Sequence, residues 1–250
     1  MAITPPEVAF QRAANTAADA VASAPAYISY KVETVATAPS LNQVRTVNRA
    51  VDTRTRDDVA VVQDLPQGRR VVTRSFPITP TFDALSYFRF QWRVTAHGTL
   101  DASVSDVQPL HYDDVTKTSK ADVVVTSLRY YKAAYAQDSS DAPDGTTHVT
   151  LEPFAFVKDG QNIKDTLYLT DLYVTNATGL PSEVRLGGDG GLILDVKYRM
   201  ADSHWVVDSV HYEETISAAL GLYHFHVNAD SHYRDYLFPA TAPDPELAQN

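Results

Sequence analysis

The stretch Leu192-Ile193-Leu194-Asp195-Val196-Lys197-Tyr198-Arg199-Met200 decides the fold class. Leu192, Leu194, Val196, Tyr198 and Met200 fall on one side of an extended chain, and Ile193, Asp195, Lys197 and Arg199 fall on the other. The segment therefore reads as a strand with one buried and one wet face. Strands of this kind belong to antiparallel sheets, because parallel sheets are covered on both faces. The run Gly187-Gly188-Asp189-Gly190-Gly191 stands just before it, with Val184–Leu186 on the far side, which makes a hairpin. It is not a nucleotide loop, since a period-two strand and not a helix follows it, and the lysine and spacing of such a loop are missing.

Outward from this hairpin the same alternation recurs. Ile28, Tyr30 and Val32 alternate with Ser29, Lys31 and Glu33, and further strands are predicted at Val44–Asp52, Val59–Gln63, Val71–Ser75, Tyr87–Thr95, Val123–Tyr131, His148–Val157, Thr166–Val174, Trp205–Glu213, Leu222–Asn228 and Tyr233–Phe238. Gln67-Gly68 and Asp159–Asn162 are the turns between consecutive strands. No helical pattern is interleaved, which excludes a doubly wound or TIM-type fold. One segment has helical spacing: from Pro6 to Ala24, Val8, Phe10, Ala13, Ala17 and Val21 recur on one side, and Pro25 stops the helix. Thr81–Phe88 reads as a short helical turn, Asp138–Gly145 as a loop, and 239–250 as an aperiodic tail. The expected architecture is mainly β with an N-terminal helix. It is a single domain over 1–250, with the helix at 6–24, a curved antiparallel sheet over 26–238 that forms an incomplete barrel packed on one or two helices, and the tail.

Composition narrows the function. The 250 residues include no cysteine, so disulfides, zinc–thiolate centres, iron–sulfur clusters and cysteine nucleophiles are excluded. The net charge of −10 is lopsided: residues 1–120 hold 13 Lys/Arg against 12 Asp/Glu, and residues 121–250 hold 8 against 19. An acidic C-terminal half argues against a phosphate backbone as partner, so no nucleic acid is expected. Arg45, Arg49, Arg54, Arg56, Arg69, Arg70 and Arg74 cluster among predicted strands and read as a solvated face. No run approaches the ~20 apolar residues of a membrane-spanning helix, so no transmembrane segment is expected. Met1–Pro6 carries no basic or apolar leader pattern, which fits a chain whose signal peptide or lipid anchor has been removed.

Two groups of side chains are candidates for a site. Five of the eight histidines lie between 204 and 232. His224 and His226 share one strand face opposite Tyr223, Phe225 and Val227, and His211 can join them from a neighbouring strand with Glu213 as carboxylate, so His211, His224 and His226 are an alternative metal site. The second group is aromatic. Tyr30, Phe90, Trp92, Tyr130 and Tyr168 place large amphipathic rings along a curved sheet, where they fill a core or line an apolar cavity, and a half-open barrel allows both. No nucleophile elbow, His-Glu-x-x-His pair or carboxylate dyad is present, so a non-enzymatic protein without cofactor is expected.

From Thr170 the chain reads Thr-Asp-Leu-Tyr-Val-Thr-Asn-Ala-Thr-Gly-Leu-Pro-Ser-Glu-Val-Arg-Leu, then the strand Leu192–Arg199, then Ser203-His204-Trp205-Val206-Val207. With the closing Tyr233-Arg234-Asp235-Tyr236-Leu237-Phe238-Pro239, and a helix feeding the long strand Ala26–Thr37, this pattern resembles the lipoprotein-carrier (LolA/LolB-like) superfamily of extracytoplasmic bacterial proteins. The resemblance implies a half-barrel whose concave side accepts acyl chains. It also implies a periplasmic location, and as partners a hydrophobic small molecule, a lipid or lipoprotein, or a protein at the cell envelope.

Overall fold

A computed structural model of the chain describes residues 4–38, 41–53, 58–64, 70–73, 107–113, 118–125, 131–137, 142–153, 166–188, 191–218 and 223–242. Helix α1 (Pro6–Ala22) is followed by strands β1 (Tyr27–Ala38), β2 (Leu41–Asp52), β3 (Asp58–Asp64), β4 (Arg70–Thr73), β5 (Val107–Asp113), β6 (Thr118–Val125) and β7 (Tyr131–Tyr135). The remaining strands are β8 (Thr146–Pro153), β9 (Thr166–Thr175), β10 (Pro181–Gly188), β11 (Ile193–Ala201), β12 (His204–Ala218) and β13 (Tyr223–Leu237). The sheet runs β4-β3-β2-β1-β13-β12-β11-β10-β9-β6-β5, with β8 and then β7 added beside β9. Among the described residues it does not close on itself, so the expected incomplete barrel with an N-terminal helix is the observed fold.

The helix forms where apolar spacing and proline placement dictate. Phe10, Ala13, Ala14 and Ala17 stand at i, i+3, i+4 and i+7 and all are buried. Val8 does not share that stripe and is 52% exposed, because two residues turn about 200° around a helix axis. Pro25 disfavours helical geometry at Ala24, and α1 ends at Ala22, two residues short of the predicted end. The three alanines let the helix axis come close to the sheet. Its principal sheet neighbours are β7, β8, β10 and β12. A helix of 17 residues is about 25 Å long, and the five strand-to-strand steps from β7 to β12 span about 24 Å. Thus α1 crosses the strands from β7 to β12.

Several predicted boundaries change. Leu222–Asn228 and Tyr233–Phe238 belong to one strand, β13, because the backbone stays extended through Ala229–His232 and pairs with β1 on one side and β12 on the other. Of the predicted strand Val123–Tyr131, Val123–Val125 belongs to β6 and Tyr131 to β7, which pair with different strands, and residues 126–130 lie outside the described residues. β6 pairs with β9 in parallel, the exception in an otherwise antiparallel sheet. β5 was not anticipated from the sequence. Met200 is 48% exposed although it continues the alternation of Leu194, Val196 and Tyr198; it is the last residue but one of β11, beside the Asp202–Ser203 turn. The predicted strand Tyr87–Thr95 and the helical turn Thr81–Phe88 lie outside the described residues.

Three local devices hold the half-barrel. Gly179, at φ +74°, turns the chain between β9 and β10, and its amide bonds the Thr175 carbonyl at 2.7 Å. A β-carbon there would lie 3.5 Å from Thr16 Oγ1, so this turn packs directly on α1. Next to it Trp205 Nε1 donates to the Pro181 carbonyl (2.9 Å) while its ring stacks on Tyr198 at 4.3 Å. Asp202 and Ser203, at φ +45° and +66°, make the two-residue turn that joins β11 to β12.

Candidate functional site

The register sorts the side chains into two faces of opposite chemistry. On the helix side, the concave one, Ile28, Tyr30 and Val32 of β1 join Val210 of β12, Leu194 and Val196 of β11, Val184 and Leu186 of β10, and Leu172 of β9, all buried in a single core. Tyr30 is 2% exposed, part of this core. Its ring meets those of Tyr233 (5.7 Å) and Tyr236 (5.5 Å). On a regular strand residues three apart point to opposite faces. Here Asp235 takes φ +56°, and β13 uses three residues, from 237 to 234, against two of β1, from 29 to 31. This bulge turns both tyrosines inward. Tyr236 Oη then donates to the Val207 carbonyl at 2.7 Å, which locks β13 to β12.

Beyond this aromatic floor the same face continues along β1, β13 and β12 with half-buried residues. In register across β1, β13 and β12 stand Ala36, Ala229 and Tyr212, with Leu194 of β11 next to Tyr212. The preceding row holds Thr34 and Ser231, whose hydroxyls hydrogen-bond at 2.8 Å, and the following one holds Val227 and Glu214. Ala36, Ala229, Ser231, Val227, Tyr212 and Glu214 are neither sealed nor fully exposed. These residues combine small, aromatic and polar side chains, all half-buried. Tyr212 Oη donates to the Glu214 carboxylate. Small residues in a sheet leave room above the backbone, which is the geometry a slender apolar guest requires.

The other face is a ladder of charges. His148 Nε2 lies 2.7 Å from Asp171 Oδ1, and its ring stacks on Tyr173 at 4.1 Å. The Arg185 guanidinium lies over Tyr173 and bonds Glu183 at 2.7 Å, with Asp195 Oδ1 at 3.7 Å and Lys197 near Glu183 at 3.9 Å. Farther along, His211 Nδ1 donates to Asp230 Oδ1 (2.8 Å), and Glu213 stands between His211 Nε2 (3.7 Å) and His226 Nε2 (3.4 Å).

The predicted site residues fare unequally. Tyr30 is in the concave floor. Tyr168 lies in β9, in register with Gly187 of β10 and Val125 of β6. Phe90, Trp92 and Tyr130 lie outside the described residues. His211 and His226 meet at Glu213, whereas His224 pairs with Ser217, two positions farther along β12 than the Thr215 opposite His226. Among the described residues no three His, Asp or Glu side chains are grouped to hold a metal ion. Arg49 overturns the reading of a solvated basic face at its position: it is 8% exposed, because register places it opposite Tyr30 on the concave side. The residues that sequence reasoning missed are Tyr212, Ala36 and Ala229. Period-two alternation carried through Ala229–His232 would have found Ala229.

Fold and faces together define a class: a helix-packed, unclosed antiparallel half-barrel, apolar within and charged without. No family model matches the chain, and no curated protein matches it. Among solved structures it is similar to a LolA superfamily protein from Nitrosomonas europaea, at 9% identity and a TM-score of 0.37 over 98% of each chain. It is also similar to a DUF1329 family protein from Desulfovibrio piger, at 11% identity and a TM-score of 0.39 over 94% of each chain. A third likeness is to a putative outer membrane lipoprotein-sorting protein domain from Vibrio parahaemolyticus, at 10% identity and a TM-score of 0.38 over 96% of this chain and 97% of that one. No helix among the described residues is long and apolar enough to cross a membrane.

Proposed function

We propose that this chain is an extracytoplasmic binding protein, one domain over 1–250, that holds a hydrophobic ligand on the concave face of its half-barrel. The ligand class is an acyl chain, free or as part of a lipid or lipoprotein. One observation carries the reading: beyond the sealed core, Ala36 of β1, Val227, Ala229 and Ser231 of β13 and Tyr212 of β12 stand half-buried on the helix side of the sheet, and in this proposal they line a trough open to a guest. Burial of the ligand's apolar surface, at ~25 cal/mol per Å², supplies the affinity. The Thr34–Ser231 and Tyr212–Glu214 pairs set its orientation. Tyr30 supports the floor, and Phe90, Trp92 and Tyr130 complete the lining in this proposal, whereas the register of Tyr168 with Gly187, beside the inward Leu186 and Leu169, leaves Tyr168 out of it.

The test is thermal unfolding with and without palmitate. Ligand at a hundredfold excess over its Kd stabilises the native state by about 2.7 kcal/mol, a rise in Tm of about 5–10 °C for a chain of this size. No rise with palmitate or with a lipopeptide, at concentrations below their micellar limit, would remove the reading.

A further inference from the structure

The convex face carries a second device, independent of what the concave face binds. His211 lies at the centre of a cross-strand cluster. It faces Asp230 of β13 at 2.8 Å, Asp195 directly opposite on β11, and Glu213 of its own strand at 3.7 Å. His226 reaches the same Glu213 at 3.4 Å. The other charged groups near this seam are largely engaged elsewhere. On β10 Arg185 bonds Glu183, Lys197 of β11 approaches Glu183, and on the β1 side Arg234 bonds Glu33 at 2.6 Å, while His232 of β13 stands opposite Ser209. Asp195 is only 21% exposed, and its Oδ1 has no hydrogen-bond partner, Arg185 lying 3.7 Å away. Three carboxylates on three strands therefore surround one imidazole.

We propose that protonated His211 is a clamp that ties β11, β12 and β13 together from the convex side, and that losing its proton loosens this wall of the half-barrel. The neutral ring keeps one hydrogen bond to Asp230 but leaves Asp195, Glu213 and Asp230 repelling one another across neighbouring strands. The wall in question carries Tyr212, Val210, Leu194 and Ala229 on its inner side, so the state of the clamp bears on the concave face as well.

The electrostatics have the sign this requires. The hydrogen bond to Asp230 raises the His211 pKa above the ordinary histidine value, with the Asp230 and Asp195 charges and the Glu213 bond adding to the effect and partial burial opposing it. A raised folded-state pKa stabilises the fold fully below about pH 6.5, and that stabilisation is lost as pH rises through the folded value. Burial raises the Asp195 pKa, Arg185 and His211 opposing, so ionised Asp195 is a cost at neutral pH with the same sign. His211 is about one-third exposed, so salt screens the effect.

The experiment is thermal unfolding of the full chain from pH 5.5 to 8.5, for the native protein and for His211→Gln. The native Tm is expected to fall by several degrees between pH 6 and 8, and this fall is expected to shrink by at least half in the variant and in 0.5 M NaCl. In parallel, the His211 ring is titrated by NMR in the native protein and in Asp230→Asn, where its pKa is expected to move back toward the ordinary value. An equal pH slope in His211→Gln, or a native His211 titrating at or below the ordinary value, would overturn the proposal. The NMR titration decides the matter even if His211→Gln does not fold.

Discussion

Replacing Phe10 by alanine is expected to cost about 3–5 kcal/mol of stability and to lower Tm by roughly 10 °C or more. Phe10 is the one large side chain on the buried stripe of α1, 2% exposed, and its companions Ala13, Ala14 and Ala17 are already as small as a chiral residue allows. No neighbour on the helix can swing in to fill the space. Without Phe10 the helix keeps only its small alanines in the core, the bond from Tyr135 Oη to the Thr4 carbonyl at 2.6 Å, and the Gly179 turn against Thr16 among its described ties. A mutant helix so weakly held should fray. Loss of far-UV helical signal ahead of sheet signal on heating is therefore expected, and a Tm within about 2 °C of the native value would show that α1 is not part of the cooperative core.

Replacing Ala229 by phenylalanine is expected to abolish ligand binding while leaving the fold intact. Ala229 stands between Ala36 and Tyr212 in one row of the concave face and is half-buried, so a ring there occupies the trough instead of displacing packed core. Phenylalanine is favoured on a pleated surface, which keeps the cost to the strand small. The expected result is a loss of affinity of at least tenfold, seen as disappearance of the palmitate-induced rise in Tm, with the ligand-free Tm changed by no more than about 2 °C. Retained binding would place the ligand elsewhere on the molecule.

Much of this fold is legible in the chain because the physics is local. The alternation in Leu192–Met200 and the turn residues around it specify a half-buried antiparallel hairpin with no tertiary information, and the stripe from Phe10 to Ala17 does the same for the helix. What the sequence hides is register. Tyr233 and Tyr236 are three apart and look destined for opposite faces. Only the bulge at Asp235, an effect of pairing with β1, brings both onto Tyr30. Met200 departs from its alternation for a different reason, its place at the end of β11 beside the turn into β12.

The site is less legible than the fold. Aromatic residues attract attention as candidate ligand contacts, but the proposed trough includes small ones, Ala36 and Ala229, and small residues carry no signal until strands are laid side by side. Arg49 illustrates the converse. A basic cluster in sequence suggests a solvated face, yet one of its members is drawn under the concave surface by its register with Tyr30. Similarly, His224 and His226 share a strand face as alternation requires, but pairing with β12 places only His226 within reach of Glu213, and so separates the three histidines that spacing alone groups together.

The central claim, that the concave trough holds an acyl chain, is tested most directly by native mass spectrometry of the protein purified without detergent from its own cell envelope fraction. The account predicts a population heavier than the apoprotein by the mass of an amphiphile, released as a fatty acid or lipid on collisional activation, and absent from Ala229→Phe. A single species at the apoprotein mass, unchanged after incubation with palmitate or a lipopeptide, would contradict it.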